Sequence, residues 1–236
     1  MKFHYWRAYL PTALPGATPK AWVIASMGAL LGISLTGFVT AALMGTDLRL
    51  PFLMIPLAAS SVILYVLPTG PLARPWAIVV GHTVSALVGV LVAHAVQQPV
   101  LAAGIAVALS IVAMAVTGSL HPPGGSTALL AVLGGPVVQA AGYHYALVPV
   151  GLNAVLLVLS GIVYHRWVSG HPYPHVLPDS SRIPEASGFD IRAEDIDAAV
   201  VRYGEILDIE RQDVEVLVRE IERAALQRRL GANDAP

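Results

Sequence analysis

The 236-residue sequence contains no cysteine. Disulfides, zinc–thiolate sites, iron–sulfur clusters and cysteine nucleophiles are therefore excluded, and the redox compartment leaves no trace. Charge is scarce: Asp, Glu, Lys and Arg make up 12% of residues, about half the usual quarter. The scarcity is also uneven. Residues 1–178 hold six basic side chains (Lys2, Arg7, Lys20, Arg49, Arg74, Arg166) and one acid, Asp47, whereas residues 179–236 hold eight basic and fourteen acidic ones. No basic stripe exists, so nucleic-acid binding is not expected. What is abundant is apolar surface: 56% of residues are hydrophobic and the mean hydropathy is +0.67. An almost uncharged block of that size is what a bilayer selects as solvent.

A membrane-crossing helix needs about 20 apolar residues. Residues 21–44, 76–96, 100–118 and 146–167 meet that length, and two shorter apolar segments lie at about 50–67 and 124–139. The first contains Pro51 and Pro56; the second is bounded by His121-Pro-Pro-Gly-Gly and Gly134-Gly-Pro. The expected fold is an all-α membrane protein with six membrane segments, four full spans and two short or broken helices. The first apolar stretch is too long for a signal-peptide core. Lys2, Arg7 and Lys20 precede the first span and Arg166 and Arg182 end or follow the last, so both termini are expected in the cytoplasm, in a bacterial plasma membrane. Residues 1–178 form the membrane domain. Residues 179–236 read as a linker followed by a soluble helical hairpin, from about 193–207 and 209–229, with Val214, Leu217, Val218, Ile221 and Leu226 as an apolar stripe. The hairpin reads as a packing or oligomer-contact element, so a homo-oligomer joins the expected partners.

The chain also repeats itself at an offset of 66 residues. Pro56, Ala58, Ala59, Ser60 and Ser61 lie over Pro122, Gly124, Gly125, Ser126 and Thr127, and each match opens one of the short segments. Two copies of long, broken, long segment result, at about 21–97 and 98–168, and three crossings per copy would invert the second. A helix that starts inside a bilayer has first-turn N–H groups that hydrocarbon cannot satisfy, at the positive end of its dipole. Two such starts would make an anion site with the hydroxyls of Ser60, Ser61, Ser126 and Thr127. The competing reading makes Ala58, Ala59, Gly124 and Gly125 close-packing positions between helices. Both remain open from the residues alone.

The span interiors carry no carboxylate, which disfavours a bare-cation transporter. Any proton coupling would have to use histidine. His82 lies in the third segment, His121 beside the second broken helix, and Asn153 near the place in the second copy that corresponds to His82. Polar groups at such depth need a partner or a function. His94 and His144 sit near segment ends. His171 and His175 are four residues apart, but Pro172 and Pro174 break the helix that would align them, so no metal site and no cofactor is expected. No Ser–His–Asp set or carboxylate pair occupies the spans, and the chain is not read as an enzyme.

The run Ser119-Leu-His-Pro-Pro-Gly-Gly-Ser-Thr-Ala-Leu resembles the signature of the HPP family of integral membrane proteins. Pro56-Leu-Ala-Ala-Ser-Ser, Pro71-Leu-Ala-Arg-Pro and Gly81-His-Thr-Val-Ser-Ala match it in the same order, and the resemblance covers about residues 20–178. The family is usually described with four membrane spans; the count of six here includes the two short segments. Plant-plastid and cyanobacterial members are associated with nitrite transport, so the resemblance implies a small monovalent inorganic anion as partner, beside the lipid bilayer. Many members carry C-terminal CBS domains; none is expected in the sequence to Pro236, and adenine-nucleotide regulation is not implied. The expected function is thus a small-anion channel or transporter, with Ser60, Ser61, Gly124, Gly125, Ser126, Thr127, His82, His121 and Asn153 lining its site. The alternative is a membrane sensor or scaffold signalling through its C-terminal helices.

Overall fold

The computed structural model describes residues 18–44, 53–170, 172–175, 194–196, 198 and 213–223. Most of the expected hairpin lies outside these residues; within them, 194–196, 198 and 213–223 are helical, and Leu217 and Ile221 of its expected stripe are exposed. All regular structure among the described residues is helical. In order come α1 (Pro19–Met44), α2 (Leu57–Val66), a tight turn at Pro71–Ala73, α3 (Pro75–Ala95), α4 (Pro99–Val116), α5 (Pro123–Leu133) and α6 (Gly135–Ala141). A wide-wound segment at Ala146–Gly151 then leads into α7 (Leu152–Tyr164), which ends in a second wide turn at His165–Ser169. Among the described residues, four stretches are long and apolar enough to cross a membrane: α1, α3, α4 and Ala146–Ser169.

Local chemistry sets these boundaries. Pro19, Pro75, Pro99 and Pro123 open helices, where a missing N–H costs nothing. Thr18 accepts from the Ala21 N–H, and Gln98 from the Leu101 N–H, as side-chain caps. Gly118, Gly142 and Gly170 close helical segments with positive φ. Residues 124–139, expected as one short segment, are instead two helices. The chain bends by 100° between α5 and α6, around Gly134 and Gly135, the latter at φ +82.

The bundle is apolar outside, and its apolar core encloses a set of buried polar side chains. Val23, Leu30, Leu35 and Phe38 of α1, Val100, Ile111, Val112 and Val116 of α4, and Val155, Leu159 and Val163 of α7 are exposed. Thr36, Thr40, Ser60, His82, Ser85, Ser110, His121, Thr127 and Asn153 are fully buried. A water-soluble fold would cover that outer face with polar and charged side chains. In hydrocarbon this is the stable order, because only the interior offers hydrogen-bond partners.

Packing follows small residues. On α3, Gly81, Ser85 and Gly89 recur every four positions and form a seam for α5, which runs beside α3 in the same direction. A Cβ at Gly81 would meet the Ser119 carbonyl at 2.7 Å; one at Gly89 would meet the Ala128 carbonyl at 2.5 Å and Ala131 at 2.7 Å. α2 likewise runs with α7: Met54, just before α2, donates its N–H to Asn153 at 3.0 Å, while Leu64 seats on Gly161 and Tyr65 on Tyr164. α1 runs against α7, joined near its two ends by Thr40 to Asn153 and by the Tyr164 hydroxyl to the Ile24 carbonyl at 2.6 Å. On the same pattern α4 runs against α3, with Trp76 donating to the Thr117 carbonyl at 3.0 Å.

The seam makes a stability prediction. Gly89→Val should destabilise by about 1–3 kcal/mol, the usual cost of overpacking. Gly104→Ala, where an added Cβ meets nothing within 4 Å, should be neutral or slightly stabilising. Thermal unfolding of the two variants in one detergent checks this; equal midpoints would remove the seam from the account.

Candidate functional site: a buried hydroxyl–imidazole cluster

Four polar side chains from separate parts of the chain converge where α2 and α5 begin. Ser60, in the first turn of α2, places its Oγ 2.7 Å from His82 Nε2 and 2.8 Å from His121 Nε2. His82, on α3, places Nδ1 2.6 Å from Thr127 Oγ1 of α5. His121 precedes α5, and its Nδ1 lies 2.8 Å from the Leu72 carbonyl in the tight turn after α2. The imidazoles are 5.0 Å apart, edge to face. All four side chains are fully buried.

One protonation pattern satisfies every bond when both rings are neutral. The Leu72 carbonyl only accepts, so His121 Nδ1 carries the proton and its Nε2 accepts from the Ser60 hydroxyl. Ser60 then has no second proton to give, so His82 Nε2–H donates to Ser60 Oγ. His82 Nδ1 is left to accept from Thr127. The chain of donors runs Thr127, His82, Ser60, His121, Leu72.

The remaining expected site residues fall elsewhere. Ser61 is buried, but its hydroxyl donates to the Ala58 carbonyl at 2.7 Å, within its own helix. Ser126 is exposed, facing away from the cluster. Gly124 is a packing position: a Cβ there would lie 2.7 Å from both Met114 Sδ and Ser85 Oγ. Gly125 is roomy, its nearest neighbour being Val107 at 3.8 Å. Asn153 stands apart, accepting from the Met54 N–H and donating to Thr40 Oγ1, each at 3.0 Å, so that it ties α1 and the start of α2 to α7.

The helix starts also differ from expectation. The N–H groups of Leu57 and Ala58 donate to the Met54 and Ile55 carbonyls, both at 3.1 Å. Those of Gly124 and Gly125 donate to the His121 and Pro122 carbonyls at 2.8 and 3.0 Å. Tight turns before each helix thus supply acceptors that the sequence reading assigned to a ligand.

Two contributors escaped the sequence reading. The Leu72 carbonyl is backbone, which residue type does not reveal. Ser85 is fully buried next to Gly124 and its hydroxyl has no partner. Its position three residues after His82, on one face of a helix, is the signal that could have found it. A third buried imidazole, His165, is structural: it donates to the Leu64 carbonyl near the end of α2 at 2.9 Å and stacks on Tyr65. Tyr173, beyond the last span, donates to the Ala73 carbonyl at 2.9 Å. Burial, and then Tyr65, push its phenol well above the ordinary range, so it stays neutral.

Long apolar helices, a lipid-suited exterior and an internal polar cluster define a multi-pass, all-helical membrane protein. The chain belongs to the HPP family: the family model described as "HPP, transmembrane region" matches residues 14–174. Two transmembrane proteins of Dictyostelium discoideum are similar to it. One is 36% identical over 150 residues, covering 60% of this chain and 52% of that protein. The other is 37% identical over 127 residues, covering 52% of this chain and 40% of that protein. The chain thus spans about half the length of the curated relatives it matches. No solved structure matches.

Ser60 and Ser126, equivalent in the repeat, should part company on mutation. Ser60→Ala strips a partner from both imidazoles and should cost about 1–3 kcal/mol. Ser126→Ala should stay within about 0.5 kcal/mol of wild type. Thermal melts of the two variants decide it, and similar losses in both would discredit the cluster as drawn.

Proposed function

We propose that this protein is a multi-pass transporter or channel for a small inorganic anion, with nitrite a candidate through the family resemblance. The observation that carries the reading is the buried cluster of Ser60, His82, His121 and Thr127 at the junction of two short helices, in spans without a carboxylate. Buried hydroxyls and imidazoles are donors, and the N-terminal ends of α2 and α5 add positive dipole potential. An arriving anion would take over donors now spent on neighbours, chiefly the Ser60 and Thr127 hydroxyls, with unpartnered Ser85 close by. Gly124 and Gly125 belong to the same wall, the former by packing. Ser61, Ser126 and Asn153, bonded or facing elsewhere, are left out of this wall.

The parallel helix pairs support two inverted three-segment copies. In the first copy α2 leans on α7 of the second; in the second, α5 leans on α3 of the first. The outer helices match too, α1 against α7 and α4 against α3. Each copy then lends its short helix to the other, which is the exchange expected of an inverted repeat around a shared site. In this arrangement both termini are cytoplasmic, α2 and α5 count as crossings, and Gln98 is external.

A second reading keeps one observation: His175 Nε2 pairs with Asp213 at 3.1 Å, joining the membrane exit to helix 213–223. A sensor or scaffold role would use that link.

Purified protein in liposomes should carry nitrite, nitrate or chloride down a gradient, and Thr127→Val should cut the flux at least about tenfold, as losing a hydrogen bond to a charged group does. Absence of flux for all three anions would favour the scaffold reading. Topology is tested separately. A single cysteine at Gln98 should be labelled from outside intact cells and one at Ser180 should not; a protected residue 98 would make α2 re-entrant and end the six-crossing form.

A further inference from the structure

We infer that the Thr127–His82–Ser60–His121 chain is a proton relay that stores one excess proton, held on either imidazole and exchanged between them through the Ser60 hydroxyl. In use, this would couple anion movement to a proton, and that use rests on the anion reading above.

Donors and acceptors along the four bonds balance in more than one arrangement. In the neutral chain each group donates toward Leu72. Let one proton arrive at Thr127 Oγ1. Thr127 passes its own proton to His82 Nδ1 and turns its hydroxyl to the Pro123 carbonyl, 3.3 Å away. His82 now holds both ring protons, and its Nε2–H still donates to Ser60. Every bond survives, and the charge rests on His82.

A second arrangement follows without new partners. His82 hands its Nε2 proton to Ser60 Oγ as Ser60 hands its own to His121 Nε2. His121 now donates from Nε2 to Ser60 and from Nδ1 to Leu72. Ser60 donates back to His82 Nε2, and His82 donates to Thr127. The same five groups are satisfied in reversed order between His121 and Thr127, and the charge has moved across the 5.0 Å between the ring centres. Heavy atoms need not move for this exchange. Release requires His121 Nδ1–H to find an acceptor other than the Leu72 carbonyl, which cannot hold a proton; that bond is therefore the gate at the Pro71–Ala73 turn.

The capacity is one proton. With both rings charged, two cations would face each other across Ser60, whose hydroxyl could turn only to the Pro56 carbonyl at 3.4 Å. Among the described residues no carboxylate offsets them: α2 and α5 present hydroxyls to the rings, the turn presents a carbonyl, and each imidazole is the other's titratable neighbour. The cation following the turn, Arg74, is exposed and adds no negative charge.

The test uses the full chain labelled with [15N]histidine in lipid nanodiscs, with His82→Asn and His121→Asn spectra assigning the signals. At neutral pH, His82 should carry its proton on Nε2 and His121 on Nδ1. On acidification, the pair should gain one proton shared by both rings, with a second only under much harsher conditions. Ser60→Ala should abolish the sharing and Ser60→Thr should restore it. Two rings in the same tautomer, or two independent protonations in wild type, would overturn the relay. Liposomes holding a pH dye, under a nitrate gradient with the membrane potential clamped, give the second arm. Nitrate entry should bring lumenal acidification that Ser60→Ala loses. Nitrate entry without acidification overturns the coupling and leaves the anion reading standing. The expected tautomers and shared proton without entry of nitrate, nitrite or chloride uphold the relay and overturn that reading.

Discussion

The Ser60 hydroxyl has one proton and two imidazole nitrogens within 2.8 Å. That imbalance governs the centre of the protein. Whichever ring receives the Ser60 proton, the other must donate, so the two histidines cannot be in equivalent states. Outside a membrane, water would relieve the constraint. Inside a bundle whose outer face suits lipid, the relief has to come from Thr127 at one end and the Leu72 carbonyl at the other. The cluster therefore ties together α2, α3, the α4–α5 connection and the turn after α2. Moving one of these elements changes the partner of every group in the line.

Close backbone approach makes the cluster possible. Gly81 lets the Ser119–His121 segment lie against α3, which brings the His121 ring within reach of Ser60. Gly89 does the same for the far end of α5. Without hydrophobic drive between helices in lipid, such small-residue contacts and buried hydrogen bonds carry the association. Packing and site chemistry, which compete as explanations of the repeated motif in the sequence, are thus divided between residues. Gly124 packs, and Ser60 and Thr127 bond to the imidazoles.

What the sequence shows well is what a bilayer filters directly. The four long helices appear as apolar runs, and their boundaries fall within a few residues of expectation, with proline opening the first three. His82, His121, Ser60 and Thr127 stand out as polar residues in apolar surroundings. Facing is less legible. The repeat pairs Ser60 with Ser126 and Ser61 with Thr127, yet the cluster takes Ser60 from one copy and Thr127 from the other. One residue along a helix is a rotation of about 100°, so a repeat that aligns residue types does not align the faces they point to. Backbone partners are also invisible to residue type, as with Leu72 and with the carbonyls that satisfy the first turns of α2 and α5. The 100° bend had only Gly134-Gly-Pro to announce it.

At ten and eleven residues, neither α2 nor α5 can cross about 30 Å of hydrocarbon alone. Each lies along a long helix of the other half and begins beside the buried cluster. A short helix leaves backbone to be satisfied within the bilayer, which is tolerable only where protein or a polar cavity receives it. Here tight turns receive the first N–H groups, and His165 receives the Leu64 carbonyl near the C-terminal end of α2. The cost of interrupting two membrane helices is therefore met by specific side chains and turns. What the interruption provides in return is a junction of hydroxyls and imidazoles that continuous helices of Leu, Val and Ala could not place at that depth.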